Sequence, residues 1–382
     1  MNKFASILFL FLLLITSCET PLEEILDDNS EPTLKELWRV YTPTEASTYP
    51  PTYSDGIIYS TVGTHAIHAY KSRTGELVWI FNPDSVYNTG GSHTRIIIKE
   101  DKLFTVIQAK MYCLDKKTAN VLYTYNHIQD RGVTVDDKQV YITSQYNDIY
   151  AADIETGTIN WRGKLPARLV DPPGIDGDYL YYAVGGVTLQ RDIGYLIKVN
   201  KYIGEQVYSI VVKMPEDEMI PRGPCETPVF YNNLVIIENG DAGQKGSRFY
   251  AFNKDTGEIV WTYYYHGGAI RSALTIENGI LYVATQGTDA FALRAETGEL
   301  VWKTDIQGSS TKGPVVFYKD YLIFATAAYM YFLNKHSGEI YFKQENIWVP
   351  ITHNDTLFTG AFIWPPPEEG YSNYLIAYLI KD

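Results

Sequence analysis

The chain has 382 residues, 45% of them hydrophobic and 14% aromatic, with 45 acidic against 32 basic side chains and a net charge of −13. So acidic a balance excludes a nucleic-acid binder, because phosphates demand Lys and Arg. The length buries a core comfortably in one domain.

Lys3 and the nine-residue apolar run Ile7–Ile15 open the chain. That run is too short to span a bilayer as a helix, which takes about 20 residues, so residues 1–17 read as a signal peptide. Ile15-Thr-Ser-Cys18 resembles the bacterial lipobox, which would make Cys18 the lipidated first residue; the alternative is an ordinary secretory signal with a chance cysteine. A diacylglycerol thioether plus an N-acyl chain such as palmitate anchors stably where one chain does not. Residues 18–33 are acidic and prolyl and read as a flexible tether. Acidic residues after a lipid cysteine resemble a surface-export signal, so the expected address is the outer membrane, on its periplasmic or its cell-surface side.

A phrase of about a dozen residues then returns seven times, ending in Thr-Gly-Glu and, in its fuller copies, a tryptophan. The clearest copies are Ala66–Trp79, Tyr250–Trp261 and Ala290–Trp302; Ile149–Trp161 and Met330–Tyr341 are looser, and Met111–Tyr123 and Tyr195–Tyr208 are degraded. The turn positions 75, 119, 157, 204, 257, 298 and 338 are separated by 44, 38, 47, 53, 41 and 40 residues. A strand-patterned period near 40 to 50 means a β-propeller blade.

Each repeat reads as four strands. In the sixth, Ala273–Glu277, Ile280–Thr285, Asp289–Arg294 and Leu300–Asp305 are separated by the turns Asn278-Gly279 and Glu296-Thr-Gly298. The turn glycine supplies positive φ, and the tryptophan after it presents a flat face suited to packing between blades. Glu36-Leu37-Trp38-Arg39-Val40 matches an outer strand with no blade before it, while Thr356–Phe362 and Tyr374–Ile380 give strands with no outer strand after them. Joining the two ends makes an eighth blade and hides the edges of an open sheet. The expected fold is therefore all-β, a single eight-bladed propeller of four-stranded antiparallel blades over residues 34–382.

The repeat apolar-x-Ala-apolar-(Asp/Asn)-x-x-Thr-Gly-Glu-x-x-Trp resembles the pyrroloquinoline-quinone (PQQ) type propeller repeat, from residue 34 onward. Within that superfamily, lipobox, acidic tether, eight blades and no extra domain are most similar to the outer-membrane assembly lipoproteins of the BamB type. Resemblance to the quinoprotein dehydrogenases would imply a vicinal cysteine pair over the cofactor. The cysteines here stand at 18, 113 and 225, so no cofactor, PQQ included, is expected. Cys113 and Cys225 read as two buried thiols; a disulfide between them is the alternative.

Propellers bind at the mouth of the central channel, lined by the loops that feed each inner strand. Those loops carry Arg95, Arg131, Arg168, Asp171, Arg222, Glu226, Arg271, Lys312 and His353. Five arginines at corresponding places would concentrate positive potential and grip carboxylate or sulfate by bidentate contacts; the alternative is a set of solvated or mutually paired charges. Insertions at Gly185–Gly194 and Asn239–Gly246 separate second from third strands, and Trp364–Gly370 interrupts the closing blade. Asn239, Asp241 and Gln244 have oxygens suited to calcium without the Asp-x-Asp-x-Asp-Gly spacing, so a plain hairpin is the expectation. The seven histidines show no metal spacing, and no nucleophile elbow or phosphate loop occurs. Exposed tyrosines in Tyr263-Tyr264-Tyr265 would suit sugar stacking.

These observations lead to a non-enzymatic, lipid-anchored scaffold docking protein partners at the outer membrane. A surface lipoprotein that binds or processes an anionic glycan is the second reading. An enzyme with a site built across blades is the third.

Overall fold

Every outer strand in this protein is one residue out of step with the strand it pairs. In the sixth blade Ala292 faces Trp302 but Leu293 faces Leu300, so Val301 is left as a bulge. The same slip leaves Leu37, Val78, Leu122, Asn160, Val207, Val260 and Tyr341 unpaired in the other seven blades. An extra residue on one strand sharpens the local twist and re-aims the next side chain. Here it turns the following tryptophan, tyrosine or phenylalanine inward and leaves the apolar pair before it exposed, as with Leu300 and Val301 beside a buried Trp302.

The computed structural model describes residues 32–381 apart from 43–49, 63–65, 84–94, 167–170, 186–192, 214–220, 225–226, 242–245, 268–269, 271, 286–287, 309–312, 346 and 364–371. The signal peptide, Cys18 and nearly all of the tether lie outside these residues. The described strands form eight antiparallel sheets, and no helix occurs among the described residues. Blades 1 to 7 each run from an inner to an outer strand in chain order, and the sixth consists of Thr275–Glu277, Ile280–Ala284, Asp289–Arg294 and Leu300–Asp305. Blade 5 is the exception in strand number: Pro221–Pro224 and Val229–Tyr231 both pair with Leu234–Asp241. Blade 8 is the composite expected from the two orphan ends. Ile347–His353, Thr356–Ile363 and Ser372–Lys381 are completed by Thr33–Thr42, in a register running from Thr33 opposite Lys381 to Thr42 opposite Asn373.

The core lies between blades. Each of the eight buried apolar clusters draws its residues from two neighbours, so every seam has one cluster. At each seam the inward-turned aromatic meets the next blade's turn. The indole N–H of Trp38, Trp79, Trp161, Trp261 and Trp302 donates to the carbonyls of Ser72, Lys116, Lys201, Ala295 and Lys335 at 2.8 to 3.1 Å. The ring covers the turn glycine so closely that a Cβ at Gly298, whose φ is +72°, would lie 2.6 Å from Trp261. Glycine is required there twice over, by φ and by contact. Ala119 stands at the same place in blade 2 with φ +61°, strained for a residue with a Cβ.

The Asp or Asn of the repeat caps this turn. Asp115 Oδ1 accepts the N–H groups of Lys117 and Thr118, and Asn253 Oδ1 accepts those of Asp255 and Thr256, at 2.8 to 3.1 Å. Such side chains stand in for a backbone acceptor where the chain reverses. Each legible letter of the phrase is therefore consumed by turn geometry or seam packing.

Candidate functional site

Strand direction gives the disc two unlike ends. One end carries the hairpins joining inner to second and third to outer strands; the other carries the loops joining second to third strands and each blade to the next.

At the hairpin end, charge is spent on the fold. Lys116 reaches Asp55 at 2.6 Å, Lys201 reaches Asp136 at 3.1 Å, Lys254 reaches Asp176 at 2.5 Å and Lys335 reaches Glu277 at 3.1 Å, each lysine crossing to the preceding blade. Burial alone would raise the Asp136 carboxyl. The N–H groups of Lys138 and Gln139, the Tyr141 hydroxyl and Lys201 outweigh it and hold that carboxyl below the usual range.

His353 belongs to this end. It closes the inner strand of blade 8 opposite Thr356, and its ring stacks on Tyr53 of blade 1 with centroids 3.6 Å apart. The chain-order expectation that set it among the channel-mouth loops is corrected: Asn354-Asp355 is a hairpin, with Asn354 at φ +50°.

At the loop end, Arg95 is exposed just before the inner strand of blade 2, and Asp171 is buried three residues before the inner strand of blade 4, at 7% exposure. Arg131 and Arg222 lie in inner strands rather than in loops. Arg131 falls where pairing skips from Ile128–Ser144 to Val133–Ile142, and Arg222 falls in the shift between Pro221 and Gly223. Bulges of this kind recur beside functional sites. Arg168, Glu226, Arg271 and Lys312 lie outside the described residues, as do Cys225 and the Trp364–Gly370 insertion.

Sequence reasoning missed a set of polar caps at this end. At blade 6, Tyr265 from the outer strand of blade 5 donates to Asp289 Oδ2 at 2.6 Å and lies 3.2 Å from the Thr285 hydroxyl, while Lys303 reaches the same carboxylate oxygen at 3.1 Å. Burial, then the bond to Asp289, pushes the Tyr265 phenol well above its ordinary value. Blade 3 repeats the plan with Ser144, Asp148 and Lys164. The signal was a hydroxyl four residues before an aspartate across the second hairpin. Tyr265 is thus a core residue at 2% exposure, not a sugar platform; only Tyr263 and Tyr264 of that triplet are part-exposed.

Blade 5 departs furthest from the repeat. Glu238, Asn239 and Ser247 are fully buried where the extra inner strand crosses, Asn239 lying opposite Pro224. Asn239 is no loop ligand, and among the described residues no group of three His, Cys, Asp or Glu is placed to hold a metal ion. Cys113 is a buried free thiol whose pKa burial raises to about 11.

A profile described as the outer membrane protein assembly factor BamB, of the PQQ repeat class, matches residues 108–241 and 245–353, well over half of the chain. The chain belongs to this family. No curated protein sequence matches it. Among solved structures it is similar to BamB from Moraxella catarrhalis, at 14% identity and TM-score 0.66, covering 91% of this chain and 100% of that one. It is also similar to quinohemoprotein alcohol dehydrogenases from Comamonas testosteroni and Pseudomonas putida. Identities are 13% and 14%, TM-scores 0.68 and 0.64, covering 90% and 94% of this chain and 76% and 78% of theirs. At such identities these likenesses establish the fold alone.

Proposed function

We propose that this BamB-family propeller is a lipid-anchored, non-enzymatic scaffold that docks a protein partner at the outer membrane through the loop end of its disc. The observation that carries the reading is the division of charge between the two ends. Hairpin-end lysines are consumed across seams, whereas Arg131 and Arg222 occupy irregular inner-strand positions that the repeat does not need. Such arginines suit acidic side chains on a partner, gripped by paired N–H donors. Cys18 would hold the disc at the membrane, and the family description as an assembly factor supports a partner engaged in building outer-membrane proteins.

Affinity capture from detergent-solubilised membranes tests this. The tagged protein should recover a barrel-assembly complex, and Arg131→Glu with Arg271→Glu should weaken recovery about ten-fold or more, since each charged hydrogen bond is worth about 1.5–3 kcal/mol. Retention on an anionic polysaccharide with no assembly component recovered would overturn the docking reading in favour of glycan recognition.

A further inference from the structure

The eight outer strands each present a free edge, and half of them are guarded. Arg39, Arg162, Lys303 and Lys343 put charge into the edges of blades 8, 3, 6 and 7, a common defence against edge-to-edge pairing. Blade 4 lacks it. Its outer strand, Gln206–Lys213, is the longest outside the closing blade and has no charged residue from 206 to 212. Val207 and Val211 are 51% and 45% exposed. The turn before it is also unlike its counterparts. Where blades 5 and 6 have Asp255-Thr256 and Glu296-Thr297, blade 4 has Tyr202 and Ile203, 49% and 61% exposed, with Tyr202 pinned by its hydroxyl to Asp178 at 3.1 Å.

The sequence of this edge is self-complementary. A two-fold axis through Ser209 sets Val207 against Val211 of the second strand and Tyr208 against Ile210. It also sets Glu205 against Lys213, twice. Opposite charges at both ends and β-branched pairs between them are what an antiparallel isologous contact requires. The uncharged edges of blades 1, 2 and 5 are shorter and end in no lysine. The bulge at Val207 interrupts that end of the strand and leaves Tyr208–Ile210 as its regular centre.

We propose that blade 4 pairs edge to edge with blade 4 of a second copy, making a side-by-side dimer with one continuous sheet across the axis. The contact is independent of the loop-end docking proposed above and leaves that end open.

Sedimentation velocity of the full chain in detergent, over about 1–200 µM, should show a reversible monomer–dimer equilibrium. Val211→Lys sets a charge against Val207 of the partner strand and should weaken association at least ten-fold while the thermal melt stays in place. Glu205→Lys and Lys213→Glu should each weaken it, and the two together should restore it, an outcome that misfolding cannot imitate. A chain that is monomeric throughout, a dimer indifferent to Val211→Lys, or a double reversal that fails to restore pairing would each overturn the proposal.

Discussion

The seam between blades 5 and 6 and the seam that closes the ring between blades 8 and 1 use the same lock on very different cores. Between blades 5 and 6, twelve buried residues cluster with Trp261, which is 8% exposed over Gly298, and Tyr265 adds its bond to Asp289. Between blades 8 and 1 only five residues are fully buried, Trp38 over Gly75 is half-buried, and His68 lies on the same strand face as Tyr70. The indole-to-carbonyl bond is the constant and the apolar area the variable. A propeller built this way closes on geometry supplied by the repeat, and each seam adds stability in proportion to what it buries.

Substitutions distinguish the two seams. The largest effect should come from Trp261→Ala, at about 3–5 kcal/mol by denaturant unfolding, with Trp38→Ala costing less because it gives up less buried area. If Trp38→Ala proves the costlier change, ring closure rather than buried area limits stability. Next, Ala119→Gly should stabilise by about 1 kcal/mol, read as a raised melting temperature, because it removes a Cβ from left-handed backbone beneath Trp79. The smallest effect concerns pH. Burial depresses the His68 pKa below its ordinary 6.5 while its Nδ1 lies 2.8 Å from the Tyr70 hydroxyl. The unfolded chain therefore binds the proton first, and stability should fall as pH drops through about 6.5 toward the folded value. Unfolding titrations at about pH 7.5 and about pH 5.5 should show that loss, and His68→Gln should flatten it.

The blades were legible because they rest on local chemistry. Asn278-Gly279, the capped Thr-Gly-Glu turns and the orphan strand around Trp38 each announce a hairpin or a ladder within a few residues, and they gave the eight sheets and their closure. The bulges were legible only in retrospect, since Leu-Val-Trp violates strict alternation and a pattern reading smooths that over. The candidate site was far less readable. His353 looked like a loop residue from chain order yet stacks on Tyr53 in another blade, and Tyr265 looked like surface yet is sealed by Asp289. The stacking and the seal depend on which neighbour the ring delivers, although the Asn354-Asp355 turn that sets His353 at a hairpin stands beside it in the sequence.

The composite eighth blade also imposes an order of events. Blades 1 to 7 pair strands consecutive in the chain, so each can assemble soon after its residues are made. Thr33–Thr42 is made before all of them yet pairs with Ser372–Lys381, at the far end of the described chain. Closing so long a loop adds little free energy, because that cost grows only with the logarithm of length, but it fixes the sequence in time. Until the last ladder is supplied, the first strand waits with both edges unpaired and Trp38 and Val40 uncovered on one face. The ring is completed last at the strand that was made first.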